Sequence, residues 1–135
     1  MRLLVDTHLL IWMLINATDK LSAKAVNLLN DENNELFYSP ISVWEVYIKL
    51  QRHPDEFIFD EKQFEAACRN AGMKSLDLKP EHVLELKSLK PADDVRDHKD
   101  PMDRFLIAQA KFENMYLITH DHIMPFYEEK CVINV

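Results

Sequence analysis

Short apolar runs of strand length alternate with segments of helical periodicity along this chain. Three continuous apolar runs, at residues 3–5, 36–38 and 116–119, predict buried strands. Shorter strands are predicted at 75–78 and at 131–135. Because strands that alternate with helices favour parallel pairing, we predict an α/β fold with three α/β/α layers. Its central sheet is expected to be mostly parallel, with four or five strands.

The predicted helices fill the intervals between these strands. They cover residues 9–15, 22–29, 41 to about 51, 64–71, 81–89 and 100–112. Ser39 is a predicted N-cap, and Pro40 then occupies the first helical position, where its missing N–H costs nothing. Gly72 is the predicted C′ residue that ends the fourth helix. Residues 52–60 and 91–99 are predicted to be irregular.

Length and composition exclude several function classes. The 135 residues, 47% of them hydrophobic, indicate one domain over 1–135 that needs no metal or disulfide for stability. A single glycine excludes a Walker-type phosphate loop and a dinucleotide fingerprint. The only cysteines, Cys68 and Cys131, are too few for a cysteine-rich zinc site and are expected to be free thiols. A net charge of −7 argues against broad electrostatic wrapping of nucleic acid, but not against carboxylates that hold a cation against a phosphate.

The apolar segment at residues 3–15 follows Arg2 and superficially resembles a signal peptide. Asp6, Thr7 and His8 interrupt it, and no small-residue cleavage pattern follows. It is also too short to span a bilayer. We interpret it as a strand that runs into a helix, and we expect a cytoplasmic protein with no membrane partner.

Two aspartates follow predicted strands. Asp6 comes directly after the first strand, and Asp121 follows the fourth. Each alone could be a turn or N-cap residue. Because ligands of parallel sheets bind beyond the carboxyl ends of the strands, both side chains are expected at the functional edge. His120 and His122 flank Asp121, but without a third patterned histidine we interpret them as loop residues.

The last long helix places an acid on an apolar face. Asp100 is the predicted N-cap of this helix, and Asp103 falls in its first turn. Asp103 shares a face with Ile107 and Ala110, which should pack on the sheet. Since a carboxylate on such a face is costly unless it is paired or metal-bound, we favour a functional role for Asp103.

Glu45 supports the same conclusion independently. It shares a helix face with Ile41 and Ile48 and lies beyond the region where an acid would cap the helix. The alternative interpretation is a salt bridge to Lys49, four residues further along the helix.

Carboxylates gathered at one edge of a sheet would repel one another and raise one another's pKa values. A hard divalent cation, Mg²⁺ or Mn²⁺, resolves this repulsion with oxygen ligands. Such a cation can activate water and stabilise charge on a phosphoryl group. The sequence shows no serine or cysteine nucleophile site as an alternative to this metal site. Cys68 falls within a predicted helix and Cys131 in a predicted core strand.

Four stretches carry motifs that together point to a family. They are LLVDTHLLIW (3–12), SPISVWEVYIK (39–49), HKDPMDRFLIAQA (98–110) and YLITHD (116–121). Their order and spacing resemble the PIN domain, and most closely the toxin component of VapBC toxin–antitoxin pairs. DPMDRFLIAQA is the most specific, and it is similar to a PIN subfamily with an extra aspartate before the usual one.

The resemblance implies a Mg²⁺- or Mn²⁺-dependent endoribonuclease that hydrolyses RNA phosphodiester bonds. It makes Asp6, Glu45, Asp103 and Asp121 the catalytic and metal-binding acids, and Asp100 an additional metal ligand. Asp6 and Asp103 would bind the principal cation, and the other two core acids would complete the cluster. The resemblance also implies a cognate antitoxin that occupies the site, and we expect a homodimer.

The expected substrate contacts are Thr119, which precedes the last acid, and the cations Lys99 and Arg104, with Lys49 as a further candidate. For each of these cations, the simpler interpretation is a side chain on a solvated helical surface with no ligand. The aromatic residues Trp12, Trp44 and Tyr47 could line a groove for a partner segment, although we interpret them as core residues.

Other function classes remain open. A receiver-like phosphoacceptor would need an acidic pair after the first strand and a lysine after a late strand. Asp6 has no acidic neighbour, and Thr119 and His120 supply no lysine, so this class is disfavoured. A non-catalytic interaction module, whose acids merely cap helices, is a second alternative. Within the nuclease class, DNA or a structured nucleic acid is an alternative substrate.

Overall fold

Five parallel strands form one sheet in the computed structural model, which describes residues 1–89, 100–120 and 129–135. The strands are β1 (Arg2–Val5), β2 (Glu35–Tyr38), β3 (Lys74–Ser75), β4 (Tyr116–Thr119) and β5 (Val132–Asn134). Their spatial order is β3-β2-β1-β4-β5, so β1 is central. Every described pair is parallel. The predicted fold class is thus confirmed, with a wholly parallel sheet among the described strands.

Six α-helices accompany the sheet in the described part of the chain. They are α1 (Thr7–Leu14), α2 (Ala23–Asn30), α3 (Pro40–Arg52), α4 (Glu61–Asn70), α5 (Pro80–Glu85) and α6 (Pro101–Phe112). Short 3₁₀ turns cover Thr18–Lys20 and Leu86–Ser88.

The central strand β1 supplies both halves of the core. Leu4 belongs to a cluster with residues of α6, whereas Leu3 and Val5 belong to a second cluster with residues of α1 and α4. Successive side chains of a strand point to opposite faces, so an apolar run without alternation buries the strand on both sides. This places helices on both faces of the sheet.

The predicted signals at helix ends are confirmed at two positions. The Ser39 hydroxyl accepts the Ile41 amide at 3.1 Å, and Pro40 opens α3. Gly72 follows the last turn of α4 with a φ of 86°, a conformation that glycine adopts without steric cost. Its amide bonds to the Arg69 carbonyl, and the next amide bonds to the Cys68 carbonyl, which closes the helix in a Schellman motif.

Two predicted elements differ in the structure. The strand predicted at 75–78 is only Lys74–Ser75, because its partner β2 ends at Tyr38, opposite Ser75. The helix predicted at 81–89 ends at Glu85 and continues as a 3₁₀ turn. It buries His82 and leaves Leu84 exposed, because the His82 ring is bonded to the Glu113 carboxylate at 2.9 Å. The segment predicted at 91–99 lies outside the described residues.

A buried polar contact fixes α3 against α6. The Ser39 hydroxyl donates to the side-chain oxygen of Gln109 at 2.6 Å. The amide nitrogen of Gln109 donates to the Leu76 carbonyl at 3.1 Å, and both Ser39 and Gln109 are fully buried. Gln109 therefore joins the start of α3, the body of α6 and the end of β3.

We predict that Gln109→Ala lowers the free energy of unfolding by about 2–4 kcal/mol, because it leaves a hydroxyl and a carbonyl buried without partners and opens a cavity. Chemical denaturation measures the loss. Gln51→Ala, at an exposed position on α3, is the matched control and should change stability by less than about 0.5 kcal/mol. Equal stability of the two variants would contradict the role given to Gln109.

Candidate metal centre

Three carboxylates meet where α3 and the start of α6 approach each other. One carboxylate oxygen from each of Glu45, Asp100 and Asp103 lies within 4.8 Å of the other two. Asp103 is only 8% exposed, Glu45 is half-buried and Asp100 is exposed. Glu45 lies more than fifty residues before the other two in the chain, so only the packing of α3 against α6 brings it to them.

The N-terminus of α6 accounts for two of these acids. Asp100 is the N-cap of the helix, and one of its carboxylate oxygens accepts the Met102 amide at 2.9 Å. Asp103 lies in the first helical turn. The positive end of a helix dipole stabilises negative side chains in this turn, which partly offsets the repulsion between the two carboxylates. Asp100 is thus both a cap and a member of the acidic group.

The third acid, Glu45, lies beside a cation. The Lys49 ammonium is 3.9 Å from the Glu45 carboxylate and 3.0 Å from Nε2 of His8. The salt bridge considered from the sequence therefore exists, but as a long contact. Such a contact leaves the Glu45 oxygens with capacity for a metal ion.

Asp6 is not one of the three clustered acids. It is 3% exposed at the end of β1 and caps α1, where one carboxylate oxygen accepts the Thr7 amide at 2.7 Å. The other oxygen accepts the Thr119 hydroxyl at 2.8 Å. These two bonds fix the orientation of the Asp6 carboxylate.

The remaining predicted site residues lie in several places. Thr119 is fully buried, and its hydroxyl donates to the Asp6 carboxylate and orients it. The RNA contact expected for Thr119 stays a prediction. The Arg104 guanidinium is partly buried and lies 3.4 Å from the Leu86 carbonyl. Asp121 and Lys99 lie outside the described residues.

The donor set fits a small hard cation. Mg²⁺ binds oxygens at about 2.0–2.1 Å in an octahedral geometry, so two of its ligands are at most about 4.2 Å apart. The oxygens of Glu45, Asp100 and Asp103 lie within 4.8 Å of one another, close to that span. Small side-chain adjustments, or waters between the ion and a carboxylate, would complete the coordination.

The two cysteines do not provide a competing nucleophile. Burial raises the pKa of Cys68 to about 12 and that of Cys131 to about 11. Both thiols are therefore protonated near neutral pH, and the thiolate is the reactive form.

The sequence matches a family model described as "PIN domain" over residues 3–129. This chain belongs to the PIN domain family. PIN domains are generally metal-dependent nucleases, and the acidic group described above lies within the matched region. No curated protein matches the chain in sequence.

This PIN domain is similar in fold to a solved chain from the "Crystal structure of VapBC2 from Rickettsia felis bound to a DNA fragment from their promoter". The TM-score is 0.67 and the sequence identity 14%, and the match covers 99% of this chain and 98% of the other. At this identity the likeness establishes the fold. No α-helix in the described part of the PIN domain is long and apolar enough to cross a membrane.

Two aromatic residues of this PIN domain contradict the sequence prediction. Trp44 is 52% exposed and Tyr47 44% exposed, so neither is a core residue. Both lie on the side of α3 that faces solvent, one turn or less from Glu45. His8 also lies near the functional edge, two residues after Asp6 in the first turn of α1, although no sequence motif marks it as a site residue.

We predict that Mn²⁺ binds the acidic group, and that Glu45→Gln weakens this binding by at least about tenfold through loss of one charged ligand. Isothermal titration calorimetry measures the affinity. Glu32→Gln, at an exposed position before β2, should bind Mn²⁺ as the parent protein does. An unchanged affinity after Glu45→Gln would remove Glu45 from the proposed ligand set.

Proposed function

We propose that this PIN domain is a metal-dependent endoribonuclease that hydrolyses RNA phosphodiester bonds with Mg²⁺ or Mn²⁺. The observation that carries this proposal is the convergence of Glu45, Asp100 and Asp103 within 4.8 Å in a member of a nuclease family. Three carboxylates held this close favour a hard divalent cation, and that cation class suits phosphodiester hydrolysis.

The proposed roles of the acids follow from their positions. Glu45, Asp100 and Asp103 would hold the cation, and Asp6, oriented by Thr119, would complete the acidic edge. Asp121 is proposed as a further acid of this edge because it follows β4 in the sequence. When bound, the cation would activate water and stabilise negative charge on the phosphoryl group. Arg104 and Lys99 are proposed to contact the RNA backbone.

We further propose that the protein is the toxin of a VapBC-type pair. Its fold matches a chain of the Rickettsia felis VapBC2 complex over nearly the full length of both chains. A cognate antitoxin would then cover the site, and both the RNA substrate and this partner indicate a cytoplasmic location. A small DNA-binding protein encoded by the neighbouring reading frame would support this assignment.

A homodimer is also proposed. The exposed side chains of Trp44 and Tyr47 lie on one face of α3, and large aromatic residues are enriched in the buried centres of interfaces. Sedimentation velocity would measure the oligomeric state directly.

We predict that Asp6→Asn abolishes cleavage of total RNA and leaves the fold intact. The new amide nitrogen carries no charge for a cation, but it can donate to the Thr119 hydroxyl, which can rotate to accept. Cleavage is measured on total RNA with Mn²⁺, and the fold is checked by circular dichroism.

Two controls accompany this experiment. A chelator should abolish cleavage by the parent protein, and Glu32→Gln should cleave at the parental rate. Undiminished turnover by Asp6→Asn at equal metal concentration would refute the assignment of Asp6. Cleavage of DNA but not of RNA would favour the alternative nuclease substrate, and an inert parent protein with no Mn²⁺ binding would favour a non-catalytic interaction module.

A further inference from the structure

A groove of about 510 Å³ runs between α1, the end of α3 and the segment 53–59 that follows α3. Three of the side chains that line it are positively charged, Lys20, Lys49 and Arg52. Among the described residues that line it, only Glu56 is acidic, and its carboxylate lies 3.9 Å from Nδ1 of His53.

This local charge is opposite to that of the whole chain. The protein carries a net charge of −7, yet the lining of the groove carries an excess of positive charge. Arg52 and Lys20 are exposed, so both can reach a ligand without leaving a buried partner. The lining also contains apolar side chains, among them Ile11, Phe57 and Phe59. Single-stranded nucleic acid carries both negative phosphates and flat apolar base faces, so it matches this combination of cations and apolar surface.

An aromatic ring lies among these cations. Trp12 is half-buried in the groove, and the Lys20 ammonium is 5.9 Å from the centroid of its ring. The centroids of the His8 and His120 rings lie 6.1 Å and 5.2 Å from that of the indole. A lysine side chain is flexible, so Lys20 can exchange the indole for a phosphate and leave the ring face to a base.

The groove is continuous with the acidic group. Lys49, which lines the groove, lies 3.9 Å from the Glu45 carboxylate. His8, which also lines it, is two residues from Asp6 and bonds to Lys49. A strand that lies in the groove would therefore reach the acids within the length of one side chain.

We propose that this groove binds the single-stranded part of the RNA substrate next to the metal centre. Lys20, Arg52 and Lys49 contact successive phosphates, and one base stacks on Trp12. Cations along a backbone with an aromatic platform are the usual means of holding single-stranded nucleic acid. A duplex is excluded from the stacking contact, because its bases are already stacked and paired. This inference rests on the proposed ribonuclease function and deepens it.

The experiment uses the full chain with Asp103→Asn to prevent cleavage and Trp44→Phe to leave Trp12 as the only tryptophan. In this background, Lys20→Gln/Arg52→Gln removes two groove cations. The matched control, Lys74→Gln/Lys130→Gln, removes two exposed lysines next to the starts of β3 and β5, at the opposite end of the strands. Lys49 is kept because it contacts Glu45.

Binding of a labelled single-stranded RNA of mixed sequence is measured by fluorescence anisotropy over a series of KCl concentrations. We expect the groove variant to bind more weakly, and the slope of log Kd against log [KCl] to fall by about 1.4, since each phosphate contact in a single strand contributes about 0.7. The control variant should retain the parental slope. Single-stranded RNA should quench the emission of Trp12, and an RNA duplex of equal length should not.

Each other outcome overturns the inference. An equal loss in the groove and control variants would mean that only net charge matters. An unchanged slope in the groove variant would mean that the RNA does not contact these cations. RNA that leaves Trp12 emission unchanged, while an acidic amphipathic peptide quenches it, would assign the groove to a protein partner.

The two proposals fail separately. If the parent protein cleaves RNA with Mn²⁺ and the groove variant binds RNA as its background does, the groove inference is wrong and the ribonuclease proposal stands. If the groove variant loses affinity but the parent protein never cleaves RNA, the groove binds RNA and the ribonuclease proposal fails.

Discussion

Repulsion between carboxylates at one place in the fold is the constraint on which this structure depends. Glu45, Asp100 and Asp103 bring oxygens within 4.8 Å of one another, and Asp103 is almost fully buried. The positive N-terminus of α6 and the Lys49 ammonium lower the electrostatic free energy of this repulsion. These groups compensate only part of the charge, so the arrangement favours a divalent cation.

The position of α3 against α6 decides whether these acids meet. Glu45 lies six residues after Ser39 on one helix, and Gln109 lies six residues after Asp103 on the other. The buried bond between Ser39 and Gln109 therefore sets the spacing of the two helices near the acids they carry. Buried polar contacts of this kind are costly to break, because each partner then lacks both water and protein. The acidic group is thus held by contacts that lie outside it.

Acidic and basic side chains occupy different parts of this protein. The acids cluster between α3 and α6, whereas cations and Trp12 line the groove beside α1. A net charge of −7 predicts weak general affinity for nucleic acid. A local cationic groove next to an acidic centre is compatible with that charge, since interactions between exposed charges are screened within about 8–10 Å at physiological salt. The net charge of a chain therefore does not predict the electrostatic potential at one groove.

The sequence by itself determined the order of strands and helices along the chain and the caps at Ser39 and Gly72. It also determined the unusual placement of Glu45 and Asp103 on apolar helix faces. These features depend on near neighbours in the chain and on the periodicity of helices and strands, which can be read locally. Only the tertiary structure decided that Asp100, and not Asp6, groups with Glu45 and Asp103, that Thr119 orients Asp6, and that Trp44 and Tyr47 face solvent. Such outcomes depend on how distant helices pack, and a helical pattern does not specify which neighbour covers each face.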